Sequence, residues 1–221
     1  MKTNKSKSES HEPQTFLDTS GMARKVAEFR KDEQIYSQGD AAKSVMYIQK
    51  GNVKFSVVSA TGKVAVVAML GPTDFLGEGC MAGQSVRLGT ATAITPTTLL
   101  AIDKNELLQM LRTQDKLSDS FVAYILSHKN RVEEALIDQL FNSSEKRLAR
   151  ALLVLGRYGK VQHQPDDELP IVSQETLSEI IGSTRSRVNF FMNKFRKLGF
   201  VEYHNRRIKI NKLLLTFVLD K

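Results

Sequence analysis

The chain changes its hydrophobic period once, near residue 117, and that change limits the architectures open to it. Before it, apolar runs are short and are broken by turn residues at Gly39-Asp40, Lys50-Gly51-Asn52, Thr61-Gly62-Lys63, Gly71-Pro72, Gly83 and Pro96. The runs between them, Val45–Gln49, Val53–Val58, Val64–Leu70 and Leu99–Ile102, are rich in β-forming residues. Short strands at this spacing predict a sandwich or barrel. No helical stretch separates them, which argues against a doubly wound nucleotide fold.

From 117 to 141 the pattern is different. Apolar residues recur at Val122, Ile125, Val132, Leu136 and Leu140, with Phe121, Leu126, Ile137 and Phe141 beside them. Such steps belong to a helix with a narrow apolar seam. At 1.5 Å per residue the helix is ~36 Å long. Two partners suit the seam: the chain's own β region, or a second copy in a homodimeric coiled coil. The length favours the second.

With 221 residues, there is room for one or two domains. The longest apolar run, Val64–Leu70, falls short of the ~20 residues of a membrane-spanning helix. The N-terminal MKTNKSKSES lacks the apolar core of a secretory signal. A cytoplasmic location without a membrane partner is therefore expected. One cysteine, Cys80, excludes an internal disulfide and a four-thiolate metal or iron–sulfur site. Residues 1–20, rich in Lys, Ser and Glu, read as a flexible tail.

The charge is unevenly placed. Residues 1–141 carry 17 Lys/Arg against 16 Asp/Glu, whereas residues 142–221 carry 15 against 8. An excess of positive charge in the last third of a chain points to a polyanion partner. That third opens at Asn142-Ser143-Ser144-Glu145, which offers side-chain oxygens to cap a new helix. The helix runs through Leu148, Leu152, Leu153 and Leu155 and stops near Gly156–Gly159. A polar loop, VQHQPDDELP, follows.

Ser173 to Lys197 carries the strongest local signal. Ser173 caps a short helix with the apolar face Leu177, Ile180 and Ile181, and Gly182 supplies a tight turn. Thr184 caps a second helix with the inward face Val188, Phe191, Met192 and Phe195. Helix, glycine turn and helix at this spacing form a helix-turn-helix. Outward on the second helix lie Arg185, Ser186, Arg187, Asn189, Phe190, Asn193 and Lys194. Residues near the N-terminus of a recognition helix reach base edges in the major groove, where Arg suits guanine and Asn suits adenine. Arg185, Ser186, Arg187 and Asn189 are the candidates for reading bases. Ser173, Gln174, Thr184 and Lys194 complete the candidate DNA surface. Beyond Gly199, two alternating segments around Asn205 read as a β-hairpin, a basic wing whose Arg206, Arg207 and Lys209 would touch phosphates.

The string VSQETLSEIIGSTRSRVNFFMNKFRKLGFVEY and, earlier, FLGEGCMAGQSVRLGTATA give the chain its resemblance to the Crp/Fnr family of bacterial transcription regulators, over roughly residues 22–215. The resemblance implies an α+β architecture in four parts. These are the tail, 1–20; a cyclic-nucleotide-binding-like β-roll (a double-stranded β-helix), 21–116; a dimerisation helix, 117–141; and a winged helix-turn-helix, 142–221. It also implies a palindromic operator in double-stranded DNA, a homodimer, RNA polymerase as a partner, and no enzymatic activity.

The second string is similar to the phosphate-binding cassette of cyclic-nucleotide domains, so the implied effector is a cyclic nucleotide: cyclic AMP, cyclic GMP or cyclic di-GMP. Its candidate residues are Gly77, Glu78, Gly79, Arg87 and Leu88, with Val132 and Glu133 from the long helix. Read alone, the glycines let backbone approach a ligand, Glu78 can accept from a ribose hydroxyl, and Arg87 can pair with a phosphate. A glycine-rich turn with an ordinary ion pair fits the same residues. Leu88 and Gly89 stand where cyclic-AMP-binding members carry a small hydroxyl residue and an alanine, which removes one phosphate hydrogen bond. Iron–sulfur sensing needs more cysteines than one, and no histidine lies in the β-roll to hold haem. Two regulatory schemes remain: an effector in the β-roll, or a structural roll with control by abundance or by the redox state of Cys80.

Overall fold

The computed structural model describes residues 25–158, 168, 169, 172–204 and 207–219. The tail at 1–20, most of the polar loop, and Asn205 and Arg206 lie outside the described residues.

The first part contains eight strands: β1 (Lys25–Phe29), β2 (Gln34–Tyr36), β3 (Ser44–Lys50), β4 (Val53–Val58), β5 (Val64–Leu70), β6 (Phe75–Leu76), β7 (Thr90–Ala93) and β8 (Thr97–Asp103). They form two four-stranded antiparallel sheets, ordered β1-β8-β3-β6 and β2-β7-β4-β5. Register explains the unbroken apolar runs of β3 and β8. Val45 faces Ile102, Tyr47 faces Leu100 and Ile48 faces Leu99. Val45, Tyr47, Leu100 and Ile102 bury against Leu107, Met110 and Leu117 of the helices that follow. Ile48 and Leu99 bury on the other face, against Val53, Leu70 and Ala91 of the second sheet. A sheet covered on both faces has no solvent side to alternate with. Each such aliphatic side chain contributes about 1.5–3 kcal/mol by leaving water.

Helix α1 (Lys104–Thr113), capped by Asp103 accepting from the Asn105 amide, lies within the stretch expected to be β-rich. Its Leu107 and Met110 are buried, and that amphipathic spacing was the available signal. Helix α2 (Asp115–Phe141) is the long helix expected over 117–141. It carries two faces. Leu117, Phe121 and Tyr124 pack on the β-roll, while Val122, Leu126, Val132, Leu136 and Leu140 are exposed.

Helix α3 (Ser144–Tyr158) begins where Ser143 accepts from the Lys146 amide. Helices α4 (Gln174–Ile181) and α5 (Arg185–Lys197) follow, then β10 (Val201–His204) and β11 (Arg207–Ile210). Two elements were not expected. Strand β9 (Glu168–Leu169), read as loop, pairs with β11 and makes the wing three-stranded. Helix α6 (Leu213–Leu219) seats Leu214 in the core and Phe217 against Phe195 and Phe200.

Arg147 ties the hinge. Its guanidinium donates to the carbonyls of Gln139, Asn142 and Ile181. It thus gathers acceptors from the C-terminal ends of α2 and α4, where a cation is electrostatically favoured. Arg150 pairs with Asp138 at 2.7 Å. Lys54 of β4 reaches Glu179 of α4 at 3.0 Å, so the β-roll also touches the C-terminal region directly.

Candidate effector pocket and nucleic-acid interface

The cassette begins at the end of β6. Phe75 anchors it with a ring 1% exposed, against Tyr47, Phe121 and Tyr124 at centroid distances of 5.0, 5.3 and 5.0 Å. The Tyr124 hydroxyl donates to the Phe75 carbonyl at 2.8 Å. Burial pushes the phenols of Tyr36 and Tyr124 well above their ordinary range, so both stay protonated. Gly77 then turns with φ of 78° into a short 3-10 helix, Glu78–Ala82. A Cβ on Gly77 would strike the Arg87 guanidinium, and one on Gly79 would strike Gln84. Glycine is thus demanded at Gly77, by the buried guanidinium and by a positive φ, whereas at Gly79 the flexible Gln84 side chain can move aside.

Gly77, Glu78, Gly79, Arg87, Leu88 and Val132 line one cavity of about 160 Å³. Ligand pockets usually measure ~300–1,000 Å³, so the cavity is small for one. Arg87 is 5% exposed. It donates to the Gly77 carbonyl at 3.0 Å and to the Ser44 carbonyl at 2.8 Å. Its guanidinium lies 4.5 Å from the Tyr36 ring centroid. No carboxylate pairs with it among the described residues. A buried cation held by neutral acceptors alone favours an arriving anion, while the surrounding Phe55, Val67, Ala68 and Leu70 are apolar.

Glu133 does not join the cavity. It is exposed and pairs with Lys129 one turn back, at 2.7 Å. His128 takes the place expected of it. It lines the cavity, lies 3.9 Å from Glu78, and stacks on Tyr124 with planes 5° apart. One turn on, Arg131 pairs with the nearly buried Asp74 at 2.8 Å. Both positions follow from helical spacing after Phe121 and Tyr124, but their targets, brought by β6, leave no local signal. Tyr36 and Ser44 are long-range contributors and equally illegible. Cys80 is 1% exposed, and burial raises its thiol pKa, which opposes thiolate chemistry.

On the C-terminal side, Ser173 accepts from the Thr176 amide and caps α4. Gly182, with φ of 59°, closes α4 and its N–H bonds the Ser178 carbonyl. Thr184 accepts from the Arg187 amide and caps α5. Leu177 and Ile181 of α4 and Val188, Phe191, Met192 and Phe195 of α5 are buried together. That fixes the opposite face outward. Arg185, Ser186, Arg187 and Asn189 are exposed there. The two arginines stand in the first turn, at the positive end of the helix dipole, where a cation weakens the isolated helix and suits a polyanion. Gln174 and Asn193 both donate to the Asn189 side-chain oxygen, at 3.4 and 3.3 Å.

Lys194, half-exposed, pairs its ammonium with Glu145 of α3 at 2.8 Å, which braces α5 against α3. Arg207 is exposed on β11, and Lys209 sits opposite Glu202 in register. Arg206 lies outside the described residues.

The comparisons agree with this geometry. The model of the cyclic nucleotide-binding domain matches residues 26–114, and that of the Crp-like helix-turn-helix domain matches residues 146–213. The chain is 22% identical over 185 residues to the CRP-like cAMP-activated global transcriptional regulator of Mycobacterium tuberculosis, covering 83% of each chain. It is 27% identical over 190 residues to the global nitrogen regulator of Nostoc sp., covering 85% of each. The structure of FixK2 from Bradyrhizobium japonicum superposes with a TM-score of 0.76 at 18% identity, covering 90% of this chain and 99% of that one. With a β-roll of the cyclic nucleotide-binding domain type and a Crp-like helix-turn-helix joined by one long helix, the chain belongs to the Crp/Fnr family of DNA-binding transcription regulators.

Proposed function

We propose that the chain acts in the cytoplasm as a homodimeric, sequence-specific regulator whose β-roll takes a small effector. Its partners in this reading are a palindromic operator in double-stranded DNA, a second copy of the chain, and RNA polymerase. The observation that carries it is the α4–Gly182–α5 unit, which buries one face and presents Arg185, Ser186, Arg187 and Asn189 on the other. Ser173, Gln174, Thr184 and Lys194, with Arg206 and Arg207 of the wing, are the phosphate-side candidates. Dimerisation is supported by the exposed stripe Val122, Leu126, Leu136 and Leu140, outside the face of α2 that packs on its own β-roll. Two recognition helices about one helical turn apart, ~34 Å, then meet successive major grooves.

The cassette and α2 are coupled through Phe75–Tyr124, Glu78–His128 and Asp74–Arg131. An effector that engages Glu78 and Arg87 competes with His128 and with the main-chain carbonyls around the guanidinium. Its binding therefore biases the position of α2, and through the Arg147 hinge the position of α4. A second reading, a ligand-independent regulator with a structural β-roll, is favoured by the small cavity and the saturated Arg87. Calorimetric titration with cyclic AMP, cyclic GMP and cyclic di-GMP, alongside operator affinity, separates the two. Saturable heat with a matching change in operator affinity supports the effector reading. Heatless titrations with all three support the structural roll.

A further inference from the structure

Phe190 is 66% exposed, the one large apolar side chain on the outward face of α5 among its described residues. Around it stand Ser186 one turn before, Asn189 beside it, and Asn193 three residues on. Its ring meets the edge of Phe191 at 5.7 Å and takes no part in the buried core. The domain is therefore built without it, and an aromatic ring left in water forgoes ~1.5–3 kcal/mol of burial. The helix that carries it is held in place. Gln174 and Asn193 hold Asn189 between them, and Phe191 and Val188 are anchored below.

A helix seated in the major groove presents its outward stripe to base edges. The apolar group on those edges is the C5-methyl of thymine. We propose that Phe190 is a specificity-determining residue that selects thymine at one symmetric position of each half-site, by packing its ring on that methyl. The inference rests on α5 being the recognition helix. Arg185 and Asn189 read hydrogen-bonding edges, while Phe190 reads a methyl group and adds no polar contact.

The test selects preferred duplexes from a randomised library with the full chain. Each thymine in the selected site is then replaced by 2′-deoxyuridine, which removes only the methyl. At one thymine per half-site, uracil should weaken wild-type binding about fourfold, the worth of one buried methyl. Phe190→Ala should be indifferent to the change, and Phe190→Leu intermediate. Both variants should keep the wild-type melting temperature. Should either fail to fold, the uracil series on the wild type alone decides. Uracil tolerated at every thymine, or a loss equal in wild type and Phe190→Ala, overturns the inference and leaves the recognition helix standing. Failure of the wild type to enrich any sequence overturns the recognition helix itself, and this inference with it.

Discussion

Arg87 and Arg185 are the same residue in opposite situations. Arg87 is 5% exposed, with its guanidinium spent on the carbonyls of Gly77 and Ser44 and on the face of Tyr36. Arg185 is exposed in the first turn of α5 and makes no ion pair among the described residues. The surface proposed to face DNA thus carries an arginine free of internal partners among the described residues, whereas the cavity proposed for an effector holds its arginine on internal acceptors. In that reading the output surface stands assembled while the input site is occupied by its own hydrogen bonds. Any ligand must displace internal hydrogen bonds before it gains its own. The contrast also separates two kinds of mutation. Substitutions at Arg87 act on stability first, and substitutions at Arg185 act on binding first.

The largest expected effect is at Arg87. Arg87→Ala removes a donor from two part-buried carbonyls and opens a void where a buried side chain stood, and should destabilise the β-roll by about 3 kcal/mol, measured by denaturant unfolding. A wild-type midpoint for this variant would break the contrast. Arg185→Ala should leave the unfolding midpoint within about 0.5 kcal/mol of wild type. It should cost ~1–3 kcal/mol in operator affinity and relax base preference at one position, as read by fluorescence anisotropy on variant duplexes. Tyr124→Phe removes the hydroxyl that holds the Phe75 carbonyl. It should cost about 1 kcal/mol, and by loosening α2 from the cassette it should alter any effector response more than it alters binding of DNA without effector.

The smallest effect concerns Cys80. Burial raises its thiol pKa in the folded chain, so the folded protein keeps its proton at pH values where the unfolded chain has lost it. The stability this contributes is present below the ordinary thiol range and falls as the pH rises through it. Modification by a thiol reagent at neutral pH should accordingly be slower in the native chain than in denaturant. Equal rates would return a redox role to Cys80.

How much of this was legible in the sequence varies with the range of the contact involved. The helix-turn-helix could be read whole, because its signals are local: Ser173 and Thr184 as caps, Gly182 at φ of 59°, and an apolar face at helical spacing. The strands β4 and β5 appear where the turn residues bound them. Strand β9 was hidden because two residues carry no pattern, and only its pairing with β11 makes it a strand. Helix α6 has an apolar run too short to distinguish from a strand. The effector pocket was half legible. The cassette is one contiguous string, but Tyr36, Ser44 and His128 come to it from three other elements. The ion pair of Lys194 left no local signal because its partner, Glu145, lies on a different helix. Glu133 read as a pocket residue through a register one position off the facing side of α2, where Val132 lines the cavity and Glu133 turns to Lys129.

In the proposed dimer, two copies of α5 read successive major grooves of one operator. Hydroxyl-radical footprinting of the full chain on a selected duplex tests it most directly. Two protected segments related by a two-fold axis are expected, their centres ~34 Å apart along the DNA, and Arg185→Ala should need roughly 5–150 times more protein to show them. A single protected segment, or salt-sensitive binding with no preferred sequence and no change in Arg185→Ala, would contradict it.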